Sequence, residues 1–173
     1  MGIMQGVGKL DIQLSLRSHL SSLGYKPLLV ASRSYASVFD AHPIPSFMTT
    51  VTDLSYSEKI LLFNNYIKQL EVEHQPDVII IGLPGGIMPL AEDQTSEYGV
   101  LHYMITRAVE PDSSMMCLYQ DDFIAPYFDS LRTLCEYRFS SRPAGFYISN
   151  LKVNWSMHES DMSIQTSYLK KTH

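Results

Sequence analysis

The chain has 173 residues, with 18 acidic and 13 basic side chains and a net charge of −5. That length suits one domain with a sizeable core. The composition, 45% hydrophobic and 18% charged, is that of a globular protein. The acidic balance argues against a general nucleic-acid surface or a polybasic membrane surface. No apolar run approaches the roughly 20 residues of a membrane span, and no basic stretch leading into an apolar one suggests a secretory signal. Cys117 and Cys135 lie in apolar, strand-like and helix-like runs. They read as buried reduced thiols, which leads us to expect a cytoplasmic protein. None of the six histidines falls in a zinc-binding pattern.

The first element is a glycine-rich stretch, Gly2-Ile3-Met4-Gln5-Gly6-Val7-Gly8-Lys9, that runs straight into a helical pattern. A turn ending in Gly-Lys before a helix suits phosphate: backbone N–H groups cradle the anion, the helix dipole adds positive potential and Lys9 adds a full charge. Three features depart from the pattern. Only Met1 precedes Gly2, where a strand is expected, and Asp11 stands where a Ser or Thr belongs. Five residues rather than four separate Gly2 from Gly8. Residues 10 to 23 then read as a helix with Ile12, Leu16, Leu20 and Leu23 on one stripe, stopped by Gly24.

Residues 27–31 read as a buried strand, and 33–56 as a loop with a short helical turn near Tyr35–Phe39. Residues 57–73 form a helix with Ile60, Phe63, Asn64, Ile67 and Leu70 on one face. After Pro76-Asp77, the run Val78-Ile79-Ile80-Ile81 is the strongest strand signal, and its continuous β-branched character suits a parallel sheet buried on both faces. It ends in Gly82-Leu83-Pro84-Gly85-Gly86, where backbone can approach a partner closely. A helix at 97–109, a strand at 114–119, a helix at 123–139 with Ile124, Phe128, Leu131 and Cys135 on one stripe, and a strand near 144–149 complete the pattern. This alternation predicts an α/β fold with a mainly parallel sheet and helices on both faces. The loops at Gly2–Lys9 and Gly82–Gly86 would then share the carboxyl edge of the sheet, where such folds bind ligands.

Each candidate has two readings. Gly6, Gly8 and Lys9 either bind phosphate or form a flexible start to an ordinary helix. Asp11 either holds Mg²⁺ or complements the helix N-terminus. Gly82, Gly85 and Gly86, with Pro84, either line the site or make a tight strand-to-helix turn. Asp77 reads as a turn residue. Asp40, His42, Asp121 and Asp122 read as solvated loop groups. Gln13, Tyr35 and Tyr119 are weaker candidates for ligand contact than for core or surface roles.

The chain resembles the P-loop-like domain of a peptide maturation system protein family found beside radical-SAM enzymes in bacterial peptide natural-product clusters. The resemblance rests on Gly2, five residues, Gly8-Lys9-Leu10-Asp11-Ile12-Gln13, then Gly24-Tyr25-Lys26, Asn64 to Ile67 and Pro76 to Gly82. It covers roughly residues 2 to 120. More broadly it is similar to the P-loop class containing dethiobiotin synthetase and nitrogenase iron protein. The resemblance implies a P-loop NTPase-like fold over residues 1–150 with its first strand missing or displaced, and a tail over 151–173, helical or disordered. It implies ATP or GTP with Mg²⁺ over Gly8-Lys9. The departures are Asp11 in place of a hydroxyl ligand, Arg33 in place of an acidic residue after the strand at 27–31, and a glycine-rich 82–86 loop.

The expected function is a nucleotide-binding, and in part degenerate, accessory protein of peptide maturation. If active, it would hydrolyse a nucleoside triphosphate or transfer a phosphoryl group, although no convincing general base is visible. The alternative is a non-catalytic scaffold that binds a partner or peptide and no nucleotide. A missing first strand would leave an association-prone edge, so a homo-oligomer or protein partner is expected, with a peptide as candidate substrate and neither nucleic acid nor membrane.

Overall fold

The computed structural model describes residues 1–4, 6–88, 96–154 and 165–169. Its contacts divide the chain into two units interleaved in sequence. The first comprises Met1–Gly8, Gly85–Val100 and Asp112–His173, the second Lys9–Pro84 and Leu101–Pro111. The α/β expectation holds in each. The expected boundary at residue 150 does not coincide with this division.

The second unit opens with α1, Lys9–Ser22. Asp11 in its first turn complements the positive end of the helix dipole. The helix ends in a Schellman turn: Gly24, at φ +89°, donates to the Ser21 carbonyl at 3.0 Å, and Tyr25 donates to that of Leu20 at 3.1 Å. The packed face differs from the expected stripe. Leu10, Leu14 and Leu20 pack on the core around Leu29, Ala31 and Ile80, whereas Leu16 and Leu23 are exposed. The expected stripe was rotated: it took Ile12, Leu16 and Leu23 as inward and left out Leu10, Leu14 and the buried Gln13.

β1 (Pro27–Ala31) pairs in parallel with the two-residue β2 (His42–Pro43) on one side and with β3 (Val78–Ile81) on the other. The order β2-β1-β3 makes a fully parallel sheet. Its start is fastened by Lys26 and Asp77. The Asp77 N–H donates to the Lys26 carbonyl at 3.0 Å, and the Lys26 N–H donates to Asp77 Oδ2 at 2.7 Å. At its end Gly82 N–H donates to Val30 carbonyl at 2.7 Å. A 3₁₀ turn at Ser34–Phe39 follows β1, and α2 (Ser46–Thr49) precedes α3 (Tyr56–His74). Phe63, Ile67 and Leu70 of the expected α3 face are buried. A capping box starts this helix: Ser55 Oγ accepts from Glu58 N–H at 3.3 Å and Glu58 Oε2 accepts from Ser55 N–H at 2.8 Å. Asn64 donates to the last carbonyl of α4 (Val100–Ala108), on Ala108, at 2.7 Å.

In the first unit β4 (Ser114–Gln120) runs parallel to β5 (Pro143–Asn154), and β6 (Gln165–Tyr168) pairs antiparallel with the end of β5. This sheet is therefore mixed, and the end of β5 and all of β6 lie in the segment expected as a helical or disordered tail. Residues 155–164 and 170–173 of that segment lie outside the described residues. α5 (Ala125–Phe139) buries Leu131, Cys135 and Phe139, with a proline in its first turn as expected. Ile124 is its exposed N-cap rather than part of the packed stripe. Cys117 and Cys135 are both buried and unbridged.

Where the first strand was expected missing or displaced, the chain makes an isolated bridge. Gly2 forms a parallel bridge with Cys117. Cys117 N–H donates to Met1 carbonyl at 3.0 Å and Ile3 N–H to Cys117 carbonyl at 2.9 Å. On the other side Ile87 N–H donates to Gly2 carbonyl at 3.2 Å. Met1–Ile3 thus lies between β4 and residues 86–88, which covers the β4 edge that the sequence reading left open.

Candidate functional site

The glycine stretch is built in the first unit as strand segment, then turn. Ile3, Met4 and Val7 are buried, with Val7 at 0% exposure. Gly6 and Gly8 both take left-handed backbone, at φ +80° and +68°. Left-handed residues on either side of Val7 are the kind of alternation that turns successive N–H groups toward one side and builds an anion-binding concavity. Gly8 is also held by side-chain packing: a Cβ there would lie 3.2 Å from Tyr147 Cε1 and 3.7 Å from Ser149 Cβ. The turn therefore packs against β5. Gln5 lies outside the described residues.

Lys9, the next residue in the chain, is half-buried and opens α1. Asp11 is exposed in the first turn of that helix. Among the described residues no group of three or more His, Cys, Asp or Glu side chains is placed to hold a metal ion. The residues present therefore give Mg²⁺ one exposed carboxylate rather than a coordination cage.

The 82–86 glycines separate. Gly85, at φ +73°, has open space where its Cβ would be. Gly86 is needed for backbone contact, since a Cβ there would sit 2.7 Å from the Ile3 carbonyl oxygen and 2.8 Å from Met4 Cα. Its role is to let residues 86–88 lie against the N-terminal strand segment. Gly82 belongs to the second unit and ends β3. A Cβ on it would meet Gln13 Oε1 at 2.1 Å and Gln13 Nε2 at 2.6 Å.

Other candidates resolve into structural roles. Asp77 fastens the sheet at the end of β1 and β3 opposite Gly82. Asp40 takes left-handed backbone at φ +52° and closes the 3₁₀ turn, whose last carbonyls accept from Arg17 Nη1 at 2.7 and 2.9 Å. Arg33 is exposed before that turn. The His42 and His74 rings pack 4.9 Å apart.

The sequence reading missed an aromatic group beyond β4. Phe123 stacks on Tyr127 at 4.7 Å and packs against Tyr119 at 5.4 Å. Burial, then the neighbouring Tyr119 phenol and the Asp121 carboxylate, push the Tyr127 phenol up to about 12. Burial and Asp121 raise Tyr119 as well. The signal was the spacing of Tyr119, Phe123 and Tyr127, an aromatic at every fourth position across the strand end, loop and helix start.

No family model matches the chain, and no curated protein sequence matches it. No helix among the described residues is long and apolar enough to cross a membrane.

Proposed function

We propose that this α/β protein binds a phosphate-bearing ligand, of the nucleotide class, at the turn Gly6-Val7-Gly8, and that it serves as a binding component rather than a hydrolase. The observation that carries the reading is local. A parallel strand segment, Met1–Ile3, passes through two left-handed glycines anchored on β5 and leads directly to Lys9 at the head of a helix. That order of strand, glycine turn, lysine and helix is what phosphate cradles use. Lys9 supplies the counter-charge. Asp11 opposes it, because an exposed carboxylate near a polyphosphate repels it unless a cation intervenes. ATP or GTP affinity therefore depends on Mg²⁺. The peptide-maturation setting rests on the motif resemblance alone.

Calorimetric titration of ATP and GTP, with and without Mg²⁺, tests this. Wild type binds at least one of them. Losing a charge-assisted contact costs roughly 1.5–3 kcal/mol, so Lys9→Ala weakens binding by about one to two decades with the fold intact. Asp11→Asn raises affinity in the absence of Mg²⁺. A wild-type chain that binds neither nucleotide under any of these conditions supports the scaffold reading instead.

A further inference from the structure

We propose that Gln13 and Gly82 form a second ligand site, at the carboxyl ends of β1 and β3, in which the Gln13 amide oxygen accepts a hydrogen bond from an uncharged N–H or O–H donor of a small ligand. Three observations within the second unit carry this. The first is an unmet acceptor. Gln13 is only 7% exposed, and its Oε1 is fully buried with no hydrogen-bond partner. Leaving a buried acceptor unpaired costs about 1–3 kcal/mol, so most buried amides find a partner.

The second observation is the glycine beneath it. The Gln13 amide lies across Gly82, with Oε1, Cδ and Nε2 all within 2.6 Å of where a Cβ would stand. Any other residue at position 82 would expel the amide from this position. The backbone of Gly82 is fixed in turn, because its N–H is taken by the Val30 carbonyl. The amide is thus held at the seam between the ends of β1 and β3.

The third is the place of that seam in the fold. The chain leaves β1 for β2 on one side, and β3 pairs on the other side of β1. The direction of winding reverses at β1, and in open α/β sheets the crevice outside the strand ends at such a reversal is where ligands bind. The neighbours on the same helical face, Leu10 and Leu14, pack into the apolar core around Leu29, Ala31 and Ile80. A cationic donor would lose its hydration there without a charged partner, which favours a neutral amide or hydroxyl.

Matched probes on the full chain provide the test, and they carry no phosphate, so the result is independent of binding at residues 6–8. N-methylacetamide has one N–H donor and N,N-dimethylacetamide has none. In NMR titration, N-methylacetamide should shift the Gln13 side-chain amide and the Gly82 backbone amide saturably. The dimethyl compound should bind about tenfold more weakly or not at all, the loss expected for one unmade hydrogen bond. Gln13→Met should abolish the difference while melting no lower than wild type, because it removes the orphaned acceptor and keeps an apolar filler. Gly82→Ala, which displaces the amide, should abolish it independently. Equal shifts from the two probes, or none from either in wild type, overturn the proposal. So does a Gln13→Met variant that melts below wild type and still distinguishes the probes. If neither variant folds, the wild-type probe pair decides alone.

Discussion

Gly8 and Gly24 carry the same left-handed backbone for different reasons, and that difference is measurable. Gly24 faces open space, so Gly24→Ala meets only the conformational penalty of about 1–2 kcal/mol. Gly8 meets that penalty and also Tyr147, 3.2 Å from the added Cβ. Gly8→Ala should therefore lower unfolding free energy in urea by more than Gly24→Ala does. Equal losses would mean that the turn is not seated on β5. At the alkaline end Tyr127 gives a signed prediction. Its phenol is held up to about 12 by burial and by Tyr119 and Asp121, against an ordinary value of 10. The folded chain keeps a proton there that the unfolded chain begins to lose near pH 10. That contribution is complete below pH 10 and disappears as pH rises through 12. Unfolding free energy should fall over that window, and Tyr127→Phe should flatten the fall. Burial likewise pushes the Cys135 thiol up to about 11, with the Met1 ammonium pulling it partly back. Little thiolate forms at neutral pH, so Cys135 should resist alkylation until the protein unfolds.

Helices were the most legible elements, because their signals are local. The glycine after α1 and the proline at the start of α5 lie where the sequence places them, and the structure adds a cap at Ser55. Ser55→Ala should cost about 1 kcal/mol in denaturation. The Ser55 hydrogen bonds hold the Glu58 carboxyl below its ordinary value, so the carboxylate side of this box contributes above the normal carboxylate range and is lost as acid protonates Glu58. The α1 face was misread because leucines lie all round this helix, Leu10 and Leu14 on the packed side and Leu16 on the exposed side, so counting could not choose between faces. Gln13 is inward in order to lie over Gly82, a long-range fact with no local signature. The N-terminal strand was missed for a related reason. Three residues are too few for a periodic pattern, and the bonds that define the segment run to Cys117 and Ile87, far along the chain. β2 and β6 escaped in the same way, being two and four residues long.

At the scale of the molecule, the alternation of helices and apolar strands gave the α/β class and the parallel pairing of β1 with β3 and β4 with β5. It did not give the division into two interleaved units, because contacts decide that and periodicity does not carry them. Association was expected from an uncovered first-strand edge. With Met1–Ile3 on β4 that argument loses its basis, and light scattering should show whether the chain remains monomeric at micromolar concentration. The candidate site was legible as a motif, Gly6 to Lys9, but not as geometry: the sequence could not show that both glycines are left-handed or that β5 seats the turn. The most direct measurement of the phosphate reading is NMR titration of the full chain with pyrophosphate, following the backbone amides of Gly6, Val7 and Gly8. The account predicts saturable shifts at these amides that weaken by about one to two decades in Lys9→Ala. Unmoved Gly6–Gly8 amides at saturating pyrophosphate, with or without Mg²⁺, would contradict it.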